Sequence, residues 1–425
     1  MIVEEIISND DVIEAIQGQL TNARLCSTAR SSAFEVKFSE IRHLFSAEVK
    51  VIDINKLTET DIDSLIKILD TGAYWRNFPD ARTMRAKRRI IERKCRNELS
   101  SILLGIVESE ALDQRIRGLF QNKEYRNSPA QRVIILALCF NVVEMRPTFE
   151  FLSELLGMDV FSVMATFNDE YIRQFFSISG IEVLARSPLM SSYLLKNLVS
   201  DDVLIEVAVS ALRASSERFL RAKRYRELNS KFTHFSFIEQ LIISADNKYT
   251  RIQDFYDQVG DIGYKEFSPH YWLQYAIAAR SYKDYRAADR YFVESKKIAA
   301  GRRNFDTYQI DNAYAQFLLE SRMDTDYWSD FFDAFVEVSN LAMRQTYIKK
   351  AGMYPYRVVA NFLRYLEIRG AKFSKTQKGN VADICKSWSA RIDGLQPGLR
   401  RNAIIKRARL IAADSYDLIT ELEKT

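Results

Sequence analysis

Helix breakers are so sparse in this chain that long uninterrupted helices must make up most of it. Among 425 residues there are 14 Gly and 7 Pro, whereas Leu, Ile, Ala, Arg, Lys and Glu are plentiful. A mainly α protein is predicted. Its length exceeds what one ordinary core accommodates, so two to four domains are expected.

The first 56 residues depart from this pattern. "MIVEEII", "ARLCSTAR" and the β-branched "VKVIDI" read as short strands, and "DDVIEAIQGQL" and "EIRHLF" between them read as helices. Parallel α/β units produce that alternation. Three strands are too few for a sheet buried on both faces, so the segment is expected to be the trailing half of a larger α/β domain.

From "LTETDIDSLIKILDTG" onward the period is helical. Thr58 with Asp61 three residues later forms a capping box, Ile62, Leu65, Ile66 and Leu69 form the apolar face, and Gly72 ends the helix. A second helix is predicted over "ARTMRAKRRIIERKCRNELSSILLGIVE", with eight Lys or Arg between positions 82 and 96. Two readings stand for it: a phosphate- or nucleic-acid-binding face, or a solvated face opposite Met84, Ile91, Cys95 and Leu99. No aromatic residues are interleaved for base stacking, which favours the solvated face.

Residues 127–200 read as three helices and a small strand pair. Ser128 caps the first with Pro129 at its first position, Thr148 caps the second and Gly157 closes it, and "MDVFSVMATFNDEYIRQFF" is the third. A turn at Gly180 and a further helix capped by Ser187 with Pro188 complete the layout of a winged helix. The third helix carries Asp159, Asn168, Asp169 and Glu170 against Arg173 alone, a poor complement to phosphate, so DNA binding is not expected of it.

Residues 201–425 are helical and aromatic. "YWLQYAIAARSYKDYRAADRYFVESKKIAAG" places Trp272, Tyr275, Ala276, Tyr285, Ala288 and Phe292 at the offsets of a tetratricopeptide helix pair, where small residues let helices approach and aromatics fill the gap. Ala279 stands where a tyrosine is usual and Ala300 where a proline is usual. "YQIDNAYAQFLLESRM" reads as the first helix of a degenerate second pair. Stacked pairs form a curved surface suited to a protein or peptide, for which Trp272, Tyr275 and Tyr285 are the candidate contacts; simple core packing is the competing reading for such aromatics.

Charge and cysteine usage limit the remaining classes. Lys plus Arg exceed Asp plus Glu by 61 to 56, a net +5 that does not point to nucleic acid. Cys26, Cys95, Cys139 and Cys385 have no CxxC spacing, which suits reduced thiols, and His43, His234 and His270 are too scattered to support a metal site. The acidic start "MIVEEIISND" lacks the basic character of a signal peptide, and no apolar run reaches the roughly 18 residues of a membrane span. A soluble, cytoplasmic protein without a membrane partner is expected.

Taken in order, these segments resemble the bacterial STAND family of signal-transducing nucleotidases, relatives of the NACHT and NB-ARC switches. The resemblance implies a partial P-loop NTPase-type segment over 1–56, a helical lid over 57–126, a winged-helix domain over 127–200 and a tetratricopeptide-like sensor over 201–425. In it "LCSTARSS" is similar to the sensor strand whose terminal arginine approaches nucleotide phosphates, which gives Arg30 that role. Glu4 and Glu5 stand roughly where the Walker B acids belong. "ARSPLM" lies where the winged helix meets bound ADP, usually through a histidine, and here offers Arg186 with Ser187 nearby.

The chain departs from the family upstream. It has no GxxxxGK[ST] loop to hold phosphates with backbone N–H groups and a lysine, so ADP or ATP with Mg²⁺ is expected only with a complementing P-loop, and ATP hydrolysis by this polypeptide alone is not expected. Truncation of a longer product, a split subunit, and loss of the nucleotide function stand as alternatives. No GxSxG or HExxH constellation offers another chemistry. The resemblance implies the sensing and restraining parts of an antiviral switch, with a protein ligand or partner subunit and oligomer formation on activation. The alternative is a helical-repeat scaffold for protein partners with no nucleotide function.

Overall fold

The structure is a computed structural model. It describes residues 56–72, 80–95, 128–166, 176–179, 182–185, 188–216, 222–242, 247–303, 305–348, 352–400 and 402–424, a few single positions between these, and the strands Ile2–Val3 and Cys26–Ser27. The described residues are mostly helical and fall into two compact units, one of residues 52–267 and the other of residues 1–51 with 268–425. The division at 267/268 lies inside the segment 201–425 expected to form the repeats.

In the unit of residues 52–267, helix α1 (Glu59–Thr71) starts with the expected box: the Asp61 amide donates to Thr58 Oγ1 at 3.3 Å and the Thr58 amide to Asp61 Oδ2 at 2.9 Å. The Thr58 hydroxyl also donates to Asp61 Oδ2 at 2.6 Å, and that bond, with the one from the Thr58 amide, holds the Asp61 carboxyl below its ordinary range. Gly72 ends the helix, and Ile62, Ile66 and Leu69 are buried against Ile91 and Cys95.

The long helix expected over 81–108 is broken. Helix α2 (Met84–Arg89) runs into a π turn at Ile90–Lys94 that closes with Cys95 N–H donating to the Ile90 carbonyl at 3.0 Å. Asn97 then takes φ 59° and its carbonyl accepts the Leu57 amide at 2.9 Å. Asparagine tolerates the left-handed region, and this exchange ties the chain back to the start of α1. Met84, assigned by spacing to the apolar face, is 51% exposed, because α2 begins at that residue and its first turn lies outside the packed face.

Helix α3 (Pro129–Val142) has the Ser128 cap and Pro129 start, and every residue from Val133 to Phe140 is buried. A helix apolar all round belongs in a core. Helix α4 (Phe149–Leu156) is capped by Thr148 and closed by Gly157 at φ 65°, and α5 (Val160–Thr166) begins after Asp159, whose carboxylate accepts the Ser162 amide at 3.2 Å. Residues 167–175 of the expected third helix lie outside the described residues, and its last residue, Phe176, belongs instead to a strand, where pairing with Ala185 takes its backbone. Strands β3 (Phe176–Ser179) and β4 (Glu182–Ala185) pair antiparallel, Phe176 opposite Ala185 and Ser179 opposite Glu182, and α6 (Pro188–Leu198) follows.

Helices α7 (Asp201–Ser216), α8 (Lys223–Phe232), α9 (Phe235–Leu241) and α10 (Lys248–Val259) complete this unit. Its core carries a polar knot: Asn229 Oδ1 accepts from Ser215 Oγ at 2.9 Å and from the Tyr264 hydroxyl, while the buried Asn229 Nδ2 finds no hydrogen-bond partner among the described residues. Most buried polar groups have such partners.

In the other unit, β1 (Ile2–Val3) pairs parallel with β2 (Cys26–Ser27); the "VKVIDI" run up to Ile54 lies outside the described residues. Two helix pairs follow Ser268. Helix α11 (Pro269–Ser281) is capped by Ser268, and α12 (Tyr285–Ala300) by Asp284 after a tight turn with Lys283 at φ 61°. Ala276, Ala279 and Ala288 are fully buried between them, so small side chains do set their approach. Helices α13 (Tyr308–Asp324) and α14 (Phe331–Gln345) form the second pair.

Helices α15 (Tyr354–Val359), α16 (Phe362–Arg369), α17 (Lys375–Asp393) and α18 (Ala403–Lys424) close this unit, with Trp388 buried on α17 and donating to Ser339 Oγ of α14 at 2.9 Å. Among the described residues no helix is long and apolar enough to cross a membrane.

Candidate functional site

An open groove of about 680 Å³ runs along helix α14 of the repeat-like segment. Its floor is one face of α14, where Asp333, Glu337, Asn340 and Arg344 recur at i, i+4, i+7 and i+11 beside Val336 and Met343. On the opposite face of α14, Ala334, Phe335, Val338 and Leu341 are buried. Amphipathic periodicity thus turns the polar row outward while the apolar row anchors the helix.

Helices α12 and α13 bring further charges close to Glu337 of that face. Lys296 Nζ sits 3.1 Å from the centroid of the Tyr314 ring and 3.8 Å from Glu337 Oε1. Half-burial lowers its pKa, against the pull of Glu337, Asp311 and Asp289. Asp311 accepts from Thr307 Oγ1 at 2.9 Å, and desolvation nonetheless raises its pKa. Asp289 is raised by the same cause and makes no hydrogen bond or ion pair among the described residues. Burial also pushes the Tyr314 hydroxyl up to about 12, aided by Glu337 and Asp289.

Around Tyr314 and Lys296, four carboxylates, Asp289, Asp311, Asp330 and Glu337, act together with three cations, Lys296, Arg322 and Arg344. The excess is negative, and the one ring that is polarised holds a cation on its face. A guanidinium or ammonium group suits such a surface, and an anion does not.

The candidate aromatics of the first pair are placed differently. Tyr275 is buried and stacks on Tyr291 with centroids 4.1 Å apart. Tyr285 is buried and donates to Asp324 Oδ2 at 2.7 Å. Trp272 is half-buried against Tyr291 at 5.5 Å. Tyr275 and Tyr285 thus fill the space between helices, and the groove residues of α14 lie one helix pair further on. Sequence reasoning passed over Lys296, Asp289 and Glu337; the i, i+4, i+7 polar row on α14 was a signal that could have located Glu337, whereas Lys296 and Asp289 on α12 carried none.

Glu4, Glu5, Arg30 and Arg186, the candidate nucleotide contacts, lie outside the described residues, as does Ser187. On α2 the cations divide: Lys87 pairs with Asp70 and Arg88 with Asp63 of α1 at 2.5 Å, while Arg82, Arg85, Arg89 and Arg93 are exposed. Cys95, Cys139 and Cys385 are free buried thiols, and desolvation holds Cys139 far above its ordinary range and Cys385 near 12. Among the described residues no group of three His, Cys, Asp or Glu side chains could hold a metal ion.

Compared with known proteins, the chain matches no family model, no curated protein and no solved structure.

Proposed function

We propose that this chain is the sensing and restraining part of a STAND-type, nucleotide-dependent signalling switch in antiviral defence, and that the α14 groove receives a basic segment of its protein ligand. The observation that carries the recognition part is Lys296 resting on Tyr314 beside Glu337 of the α14 groove. A lysine or arginine of the ligand meets the same carboxylates, among them Asp289, which makes no hydrogen bond or ion pair among the described residues although Arg322 and Lys296 act on it.

In the switch reading, the segment 127–200 is a winged helix that restrains a nucleotide domain, and Arg30, Glu4, Glu5 and Arg186 border ADP or ATP with Mg²⁺ once a P-loop is supplied. Ligand binding favours the open state because the ligand holds it more tightly than the closed one. Nucleotide exchange and oligomer formation then follow. The groove is complete without nucleotide, which supports a second, simpler reading: a helical-repeat scaffold for protein partners.

Nucleotide binding separates the two. ADP and ATP titrations of the chain, with a segment bearing GxxxxGK[ST] added in trans, should show binding that Arg30→Ala weakens. If no nucleotide binds under those conditions, the scaffold reading stands and the switch reading falls.

A further inference from the structure

The loop between α13 and α14, residues 325–330, is fastened by two buried arginines. Arg322, 4% exposed, donates from Nε and Nη2 to the two carboxylate oxygens of Asp330 at 3.1 and 2.8 Å. Arg369, 5% exposed, donates to the carbonyls of Arg322 at 2.6 Å, Thr325 at 3.1 Å and Met323 at 3.3 Å, and to the Asp326 carboxylate, which also takes Lys372 at 2.9 Å. Fixing two such long side chains costs rotamer entropy, which their many hydrogen bonds oppose. The loop is thus tied at both ends.

That loop presents Tyr327. Its side chain is 58% exposed, with the Arg286 guanidinium 4.1 Å from the ring centroid. Trp328 supports it from below, edge-on at 4.9 Å, and itself lies under Arg322 at 4.4 Å. From Arg286 the same face of α12 continues through Arg290, Val293 and Lys297 at i+4, i+7 and i+11, all exposed, with Val293 at 53%. These positions form a row about 16 Å long. Arg290 makes no hydrogen bond or ion pair among the described residues. Of the neighbouring carboxylates, Glu294 is engaged with Lys297 at 3.3 Å and Asp324 with Lys283 at 2.9 Å, while Asp289 is half-buried toward Lys296 and Arg322.

We propose that this outer face of α12, together with the arginine-fastened Tyr327 loop, docks an acidic segment of a partner protein. The segment's apolar side chains cover Tyr327 and Val293 and its carboxylates meet Arg286, Arg290 and Lys297. Charge complementarity names the occupant, and tyrosine with arginine is the pairing enriched where interfaces concentrate their affinity. The loop is ordered before binding, so little further entropy is lost on docking. A nucleic-acid strand fits less well, since one exposed ring gives no ladder for successive bases. The face is separate from the α14 groove, and the proposal holds whether or not the chain binds nucleotide.

The test uses the full chain and fluorescence anisotropy with two labelled probes: a 20-residue helical peptide with Glu at i, i+4 spacing and Leu between, and a 20-nucleotide oligothymidine. The peptide should bind, and Arg286→Glu with Arg290→Glu should weaken it by about tenfold or more. Tyr327→Ala should weaken it as well, with an unchanged urea midpoint showing that the fold survives. Charge reversal of Arg82 and Arg85 on α2, equally exposed, should leave binding as it was. The proposal is overturned if the peptide does not bind, if binding survives charge reversal on α12, or if oligothymidine binds more tightly than the peptide. It is likewise overturned if sedimentation shows wild type self-associating and the Arg286→Glu, Arg290→Glu variant not, since the occupant is then a second copy.

Discussion

Lys296 lies over the face of Tyr314, with its ammonium 3.1 Å from the ring centroid, and reaches Glu337 on the next helix at 3.8 Å. One side chain of α12 thus joins all three helices. Lys296→Met keeps the stem and removes the charge, leaving Asp289, Asp311 and Glu337 with less compensation. A basic 15-residue probe peptide should then bind the groove more tightly, by roughly threefold to tenfold, in a titration at low salt, because the internal competitor for the ring is gone. Glu337→Gln should have the opposite effect.

Asp289 contributes a pH dependence of known sign. Burial raises its pKa in the folded state above the ordinary value of 3.8, so its contribution to stability is fully present below that value and is lost as pH rises through the folded pKa. Asp289→Asn should therefore stabilise the protein at pH 7, by under ~1 kcal/mol because the carboxylate keeps part of its solvent. Urea melts at pH 7 and pH 3.5 check this: the gain should vanish at the lower pH.

Arg322 is expected to be among the costliest single losses in its unit. Arg322→Ala leaves Asp330 without its bidentate partner and removes the plane over Trp328, a loss of about 2–3 kcal/mol, discounted from the fully buried case because Asp330 is itself partly exposed. Arg322→Lys should recover less than half of it, since an ammonium cannot make both bonds. Equilibrium denaturation followed by Trp fluorescence measures both.

In the unit of residues 52–267, Asn229→Ala should cost about 1–2 kcal/mol by removing the acceptor of the buried Tyr264 hydroxyl, whereas Ser215 keeps its bond to the Leu212 carbonyl. The double variant Asn229→Ala, Tyr264→Phe should cost less than the sum of its parts, and a strictly additive result would show that the knot is not cooperative.

The cap at Thr58 offers a smaller, local test. Thr58→Ala should lower stability by about 1 kcal/mol and Thr58→Ser by little, because the serine hydroxyl still accepts the Asp61 amide.

What was legible in the sequence was local. Thr58, Ser128 and Thr148 cap helices within three residues of themselves, and Gly157 needs only its own φ, so these ends follow from nearest neighbours. The small residues of the first helix pair were legible for the same reason, since their spacing is the helical period. The break at Cys95 was not, because the Asn97 carbonyl finds its donor at Leu57, forty residues earlier. Nor could spacing distinguish Tyr275 as a core residue from Tyr327 as an exposed one, for both are tyrosines on or beside amphipathic helices.

The sequence by itself determined the helical class, the helix starts and which faces are apolar, because propensity, capping and period act over a turn or two. Only the tertiary structure decided where charge collects. Asp289, Asp311 and Glu337 stand on three different helices, and their common region arises from the packing of α12, α13 and α14. The fastening of the 325–330 loop likewise depends on Arg369, more than forty residues further along the chain. Electrostatic and burial effects act through space, so the surfaces proposed to recognise partners come into being only once the helices are packed.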